Sequence, residues 1–255
     1  MPTALITGGT VGIGHAFAKA LAGRGYDLVL ASRDEEGLNK VAEDFRARYS
    51  ISVEVIRTDL AVRSDVVALA GRVGDMDRPI DMLVNNAGFA VHNSLLEEDF
   101  SFQERAMDVM CMAVLILSSA AARAMKARGH GAIINVTSSS AVITTGNYSA
   151  MKAWATVYTE ALANELRGTG VKVMALMPGW VKTEFHSRGG VKANNLPDFV
   201  WIDADTLVAG ALKDLDRDKV LSVPTAKWRF AVGVGHVMPR KWTRALSRAL
   251  TKSRD

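Results

Sequence analysis

A single cysteine, Cys111, stands in a chain of 255 residues. An internal disulfide is therefore excluded, and a reducing, intracellular (cytoplasmic) compartment is expected. No apolar run approaches the roughly 20 residues of a membrane span. No charged-then-apolar leader precedes Thr3, where the first strand is expected, so a secretory signal is not expected either. Internal repeats, low-complexity tracts and a convincing linker are missing, which points to one domain with a C-terminal appendage. No metal ligands are assigned. What remains is 49% hydrophobic and 23% charged residues, the composition of an ordinary globular protein.

Acidic residues are almost missing from the last stretch. Residues 225–255 carry Lys227, Arg229, Arg240, Lys241, Arg244, Arg248, Lys252 and Arg254 against Asp255 alone, a net +7, within a chain of net +4. Residues 1–224 therefore sum to −3. The body is mildly acidic and the tail basic, so the high overall pI is no argument for nucleic-acid binding by the body. The tail carries no reader motif, and no nucleic-acid partner is expected.

Short apolar runs alternate with amphipathic stretches from the start. Strands are expected at Ala4–Ile6, Asp27–Ala31, Val53–Ile56, Ile80–Val84, Ala132–Thr137 and Val171–Met177. Helices are expected from the glycine-rich turn to about Gly25, over Asp34–Tyr49 and Arg63–Val73, over most of Leu95–Arg128, and over Tyr148–Arg167. Alternation at this length means βαβ units and a parallel sheet, an α/β doubly wound fold. The expected division is residues 1–224 as a nucleotide-binding catalytic domain and 225–255 as a basic amphipathic extension.

Two stretches carry chemistry. Tyr148 and Lys152 lie four apart on an expected helix and so share a face. A free phenol ionises near pH ~10, and an ammonium beside it would lower that value toward the working range. Upstream, Asn135-Val136-Thr137-Ser138 reads as a strand ending in hydroxyls, from which Ser138 would reach the oxygen of a carbonyl or alcohol. The second stretch is the turn Thr7-Gly8-Gly9-Thr10-Val11-Gly12-Ile13-Gly14, between the first strand and its helix. A helix N-terminus offers free amides and partial positive charge, and glycine lets a pyrophosphate approach the backbone.

The ordered set Gly8-x-x-x-Gly12-x-Gly14, Asn85-Asn86-Ala87-Gly88, Ser138, Tyr148-x-x-x-Lys152 and Pro178-Gly179 resembles the short-chain dehydrogenase/reductase family over about residues 3–224. That resemblance implies a Rossmann-type fold with a seven-stranded parallel sheet. It also implies hydride transfer between a nicotinamide and an alcohol/carbonyl pair. Tyr148 would be the acid/base, Lys152 would lower its pKa and hold the ribose, and Ser138 would orient the substrate oxygen. Gly8, Thr10, Gly12, Ile13 and Gly14 would line the pyrophosphate, and Asp59 and Leu60 would border the adenine. Asn86, with Ala87 and Gly88, would serve the adenosine side. Thr183, reached through Pro178, Gly179 and Val181, would approach the carboxamide. Ordinary capping or turn stabilisation is the plain alternative for Asn86 and Thr183.

Two departures from the family pattern stand out. Met110 occupies the place of an Asn that in many members kinks the helix and anchors a water linked to the lysine. The interval from Ser138 to Tyr148 is also shorter than the family's commoner spacing, which trims a loop over the site.

The second strand ends at Ser32-Arg33, where NAD-preferring members carry an acid for the ribose hydroxyls. An arginine pairs with a 2′-phosphate and the serine removes a repelling carboxylate, so NADP is expected over NAD. Glu184–Trp201 holds Phe185, Val191, Leu196, Phe199, Val200 and Trp201, together with His186 and Arg188. It is expected to form a lid over a largely apolar alcohol or ketone, although the same residues would serve as core. The helices containing Ala113–Met125 and Tyr148–Leu166 are expected to pair subunits as a homodimer or homotetramer. A non-catalytic NADP-binding sensor or scaffold is the alternative of a different class. In the tail, Trp242, Ala245, Leu246, Ala249 and Leu250 form one apolar helical face, and Arg240, Arg244, Arg248 and Lys252 a basic ladder. That face is expected either to touch an anionic membrane peripherally or to pack on the body or a partner subunit.

Overall fold

The structure, a computed structural model, describes residues 1–91, 93–183 and 197–252, with side chains through residue 249. Seven parallel strands lie in the order β3-β2-β1-β4-β5-β6-β7. They are β1 Thr3–Thr7, β2 Asp27–Ser32, β3 Val53–Arg57, β4 Met82–Asn85, β5 Gly131–Val136, β6 Val171–Leu176 and β7 Leu221–Ser222. The helices are α1 Gly12–Ala22, α2 Glu35–Tyr49, α3 Arg63–Val73, α4 Ser101–Met107, α5 Ala113–Arg128, α6 Asn147–Glu165, α7 Ala204–Asp216, α8 Ala226–Val237 and α9 Arg240–Lys252.

Alternate residues of each strand point to opposite faces, and both faces are covered, as a parallel sheet requires. Ala4, Ile6, Leu28, Leu30 and Val84 pack under α1, α2 and α7 with Phe17, Leu21, Phe45 and Leu212. Their neighbours Leu5, Val29, Ala31 and Leu83 pack on the other face with Leu69, Leu117, Met125 and Met151. Each fully buried Leu or Phe contributes about 1.5–3 kcal/mol. The strand order reverses between β1 and β4, and the carboxyl ends of the strands there border a cleft.

The helix expected from Leu95 begins only at Ser101. Before it, Ser94 Oγ accepts from the Leu96 amide and an Asp99 carboxylate oxygen accepts from the Ser101 amide at 2.9 Å. Such side-chain turns compete with helix and set its start. From there Ser101–Arg128 runs for 28 residues, long and apolar enough to cross a membrane by length and composition. Most of it is buried against the sheet and neighbouring helices, which marks a core helix. Between α4 and α5 it widens into a π-turn at Asp108–Met112. The local widening is thus present with Met110 in place of the Asn.

Among the described side chains of α9, the apolar ones are exposed. Trp242 is 63% exposed and Leu246 43%, while the buried residues of this helix are Thr243 and Ser247.

Candidate active site

The loops after the strands carry the site. Thr7, at the end of β1, accepts through Oγ1 from the amides of Asn86 and Ala87 at 3.0 and 3.1 Å. Asn86 returns its side-chain amide to the carbonyls of Thr7 and Gly8, at 3.0 and 3.1 Å. The glycine turn and the Asn86-Ala87-Gly88 loop are thus clamped together by the pair at the switch point. Gly8 and Gly12 have φ of +69° and +60°, which side chains rarely adopt. Gly14 is needed for closeness: a Cβ there would meet the Gly8 carbonyl oxygen at 2.1 Å. Residue Val11, before α1, supplies no side-chain cap to the first amides of the helix. Uncapped amides over a cradle that a Cβ would fill suit a pyrophosphate.

A cleft of about 660 Å³ runs along these carboxyl ends. Of the residues singled out from the sequence, Gly8, Thr10, Gly12, Ile13, Ser32, Arg33, Asp59 and Leu60 line it on one side. Asn86, Ala87, Gly88, Ser138, Tyr148, Lys152, Pro178, Gly179, Val181 and Thr183 line it as well. Gly14 does not; it is buried beneath the turn it permits. Of the expected lid, residues 184–196, with Phe185, His186, Arg188, Val191 and Leu196, lie outside the described residues. Trp201 packs edge-on against Trp180, with ring centres 5.7 Å apart.

At the far end, Ser138 follows β5 and accepts from the Ser140 amide at 3.0 Å, opening a single 3₁₀ turn, Ser139–Val142. Tyr148 and Lys152 stand on the first turns of α6. Lys152 Nζ donates to the Val136 carbonyl at 2.9 Å and lies 5.7 Å from the centre of the Tyr148 ring. Burial pushes the Tyr148 phenol up to about 12, against the opposing pull of its hydrogen bond with Ser138. Burial likewise pushes the Lys152 ammonium down to about 8, with the nearby Cys111 opposing. The expected lowering of the phenol is thus reversed in the protein by itself, because two desolvated groups each favour their neutral forms. Burial also raises the Cys111 thiol to about 11, with Lys152 opposing, which leaves a poor nucleophile at neutral pH.

Beneath the site, Asn85 donates to Asn135 Oδ1 at 2.8 Å and to Ser118 Oγ at 3.0 Å, and Asn135 donates to Thr159 Oγ1 at 3.0 Å. These buried groups lock β4, β5, α5 and α6 in register. Met110 is buried, and its sulfur sits beside Gly88, as does Lys152 Nζ.

Sequence reasoning missed several residues. Arg105 clasps Asp59 at 3.0 and 2.8 Å, so that carboxylate is committed to a partner from α4. Burial alone would raise the Asp59 pKa; Arg105 and the Ala61 amide bring it below the usual value. Phe89 and Phe102, edge to face at 5.3 Å, line the cleft with Val91, Val109 and Trp180. Apart from Trp180, within the Pro178–Thr183 motif, none sits in a motif, so only the fold brings them together. Among the described residues, no group of three His, Cys, Asp or Glu is placed to hold a metal.

The comparisons with known proteins agree with this architecture. The family model described as short chain dehydrogenase matches residues 2–191. A galactitol 2-dehydrogenase (L-tagatose-forming) of Cereibacter sphaeroides is 34% identical over 207 residues, covering 78% of each chain. A short-chain dehydrogenase from Sphingobium yanoikuyae, solved in complex with NADPH, is 32% identical with a TM-score of 0.84, covering 92% of this chain and 94% of that one. The bulky-bulky ketone specific alcohol dehydrogenase from Comamonas testosteroni is 27% identical with a TM-score of 0.79, covering 94% and 96%. The chain therefore belongs to the short-chain dehydrogenase/reductase family, oxidoreductases acting on alcohol and carbonyl groups with NADP or NAD.

Proposed function

We propose that the chain reduces a largely apolar ketone to a secondary alcohol with NADPH, and runs the reverse reaction with NADP. The carrying observation is a single cleft with Ser138, Tyr148 and Lys152 at one end and a glycine turn with Arg33 at the other. When bound, the nicotinamide supplies or accepts the hydride. The chain's own residues do the rest. The turn at Gly8–Gly14 and the first amides of α1 would hold the pyrophosphate, Arg33 the 2′-phosphate, and Lys152 the ribose near Tyr148. Ser138 and Tyr148 would both donate to the carbonyl oxygen, and the Tyr148 proton would pass to it as the alcohol forms. A phenol pushed up to about 12 is fully protonated at neutral pH and so stands ready as the acid for reduction. Phe89, Phe102, Val91, Val109 and Trp180 give the cleft an apolar lining that favours a bulky ketone over a small polar one. The names of the NADPH-bound and bulky-ketone relatives support the same reading.

The test is NADPH oxidation by purified protein against ketones of graded size, with Tyr148→Phe as the control. Removal of a positioned acid lowers turnover by roughly 10²–10⁴, and the ring keeps its packing, so the fold should survive. Near-normal turnover in Tyr148→Phe would overturn the assignment. A folded chain that binds NADPH yet reduces no ketone would mark a binding protein instead.

We also infer that subunits pair through α5 and α6. Met112, just before α5, is 39% exposed and Val157 on α6 65%, and Trp154 stacks on Tyr158 at 5.1 Å on α6. Sedimentation of Val157→Glu, compared with the native chain, tests the pairing: a smaller species is expected.

A further inference from the structure

We propose that α8 and α9 form a docking face for an anionic lipid bilayer. An amphipathic helix ordinarily turns its apolar face inward; α9 does the opposite. Among its described side chains, the buried ones are Thr243 and Ser247. Ser247 Oγ accepts from the Thr144 amide at 2.9 Å and donates to the Thr243 carbonyl at 2.8 Å. At 3.6 residues per turn, the stripe holding Trp242 and Leu246 lies about 100° around the helix from Thr243 and Ser247. The helix cannot roll to bury the indole without breaking the bond to Thr144. The outward face is therefore built in.

A second apolar stripe lies on α8. Phe230, Val234 and Val237 recur at i, i+4 and i+7 and are exposed, Phe230 by 76% and Val237 by 83%. Among the described residues of α8, Val232 alone is buried. Large exposed apolar groups concentrated on two consecutive helices mark an interaction surface.

Charge selects the occupant. Arg240, Lys241, Arg244 and Arg248 are exposed, and among the described residues none is paired with a carboxylate. Residues 225–255 carry a net +7. A second copy joined across a two-fold axis would bring two such tails together, and like charges repel. An anionic bilayer accepts both features at once: Trp and Leu enter the interface while cations meet the headgroups. The same helices pack behind segments that bear the cleft. Trp228 packs on Gly179, where a Cβ would meet its ring at 2.1 Å, and Gly235 packs on Val142 of the 3₁₀ turn after Ser138. Docking therefore sets the cleft beside the lipid surface, where an apolar ketone concentrates. That last consequence rests on the proposed reaction; the docking does not.

The experiment is co-sedimentation of the full chain with phosphatidylcholine vesicles, with and without about 30% phosphatidylserine, at low and high salt. The native chain is expected to sediment at least tenfold more strongly with the anionic vesicles and to be released at high salt. Trp242→Glu with Leu246→Glu should lower binding at least tenfold while leaving Tm and turnover of a water-soluble ketone unchanged. Arg244→Gln with Arg248→Gln should abolish the preference for anionic lipid. A native chain that never sediments, or binding untouched by both variants, overturns the proposal. So does a Trp242/Leu246 variant that only changes oligomeric state, which would make the face a subunit contact. Lack of ketone turnover in the native preparation would count against the reaction and leave the docking result standing.

Discussion

Lys152 holds its ammonium against the Val136 carbonyl at 2.9 Å, while the ring of Tyr148 stands 5.7 Å away. The lysine is anchored to the end of β5 and faces the ring of the tyrosine. Its charge and the phenol are both desolvated, and burial is the largest influence on each.

In the cofactor-free protein Tyr148 should therefore remain neutral well above pH 7. Ultraviolet difference spectra between the native chain and Tyr148→Phe isolate this one phenol from the other tyrosines. No phenolate band is expected between pH 7 and 10, because the phenol is pushed up to about 12. A band rising near pH 7–8 would show that the lysine outweighs burial after all.

Lys152 should trade stability for chemistry. Its pKa falls from 10.5 to about 8 on folding, so the unfolded chain binds more protons between those values. Stability then rises with pH through that window, and the full penalty stands below pH 8. That penalty is about 3 kcal/mol, offset by about 1 kcal/mol from the bond to Val136. Lys152→Met should raise Tm by several degrees at pH 7, lose the advantage near pH 10.5, and abolish turnover. A lower Tm at pH 7 would contradict this.

Arg33 should separate the two cofactors. A hydrogen bond to a charged group contributes about 1.5–3 kcal/mol, so Arg33→Ala should weaken NADP binding roughly ten- to a hundredfold and leave NAD nearly unchanged. Equal loss for both, measured by titration calorimetry, would assign the residue a structural role.

Gly14→Ala should damage the turn, since its Cβ would press on the Gly8 carbonyl at 2.1 Å and backbone cannot yield. A loss of about 2 kcal/mol or more is expected, with weakened dinucleotide binding. Gly71→Ala in α3 is the control: nothing lies within 4 Å, so about 0.5–1 kcal/mol of added stability is expected. Comparable melting curves for the two variants would remove the close-packing argument.

Sequence alone determined the parallel α/β fold and its glycine turn, because strand and helix periods and the freedom of glycine are local properties. It also determined that Tyr148 and Lys152 share a face, since i and i+4 meet on any helix. Contacts between distant segments were decided only in three dimensions. Arg105 meets Asp59, Phe89 meets Phe102, and Asn86 closes on Thr7, across intervals that no periodicity spans. Tertiary structure likewise decided the direction in which the Tyr148 and Lys152 pKa values move. Spacing reports that a charge is near a phenol, but burial, a property of the whole fold, set both values. The tail shows the same division: its amphipathic pattern was legible in the sequence, whereas the bond between Ser247 and Thr144 decided which face looks outward.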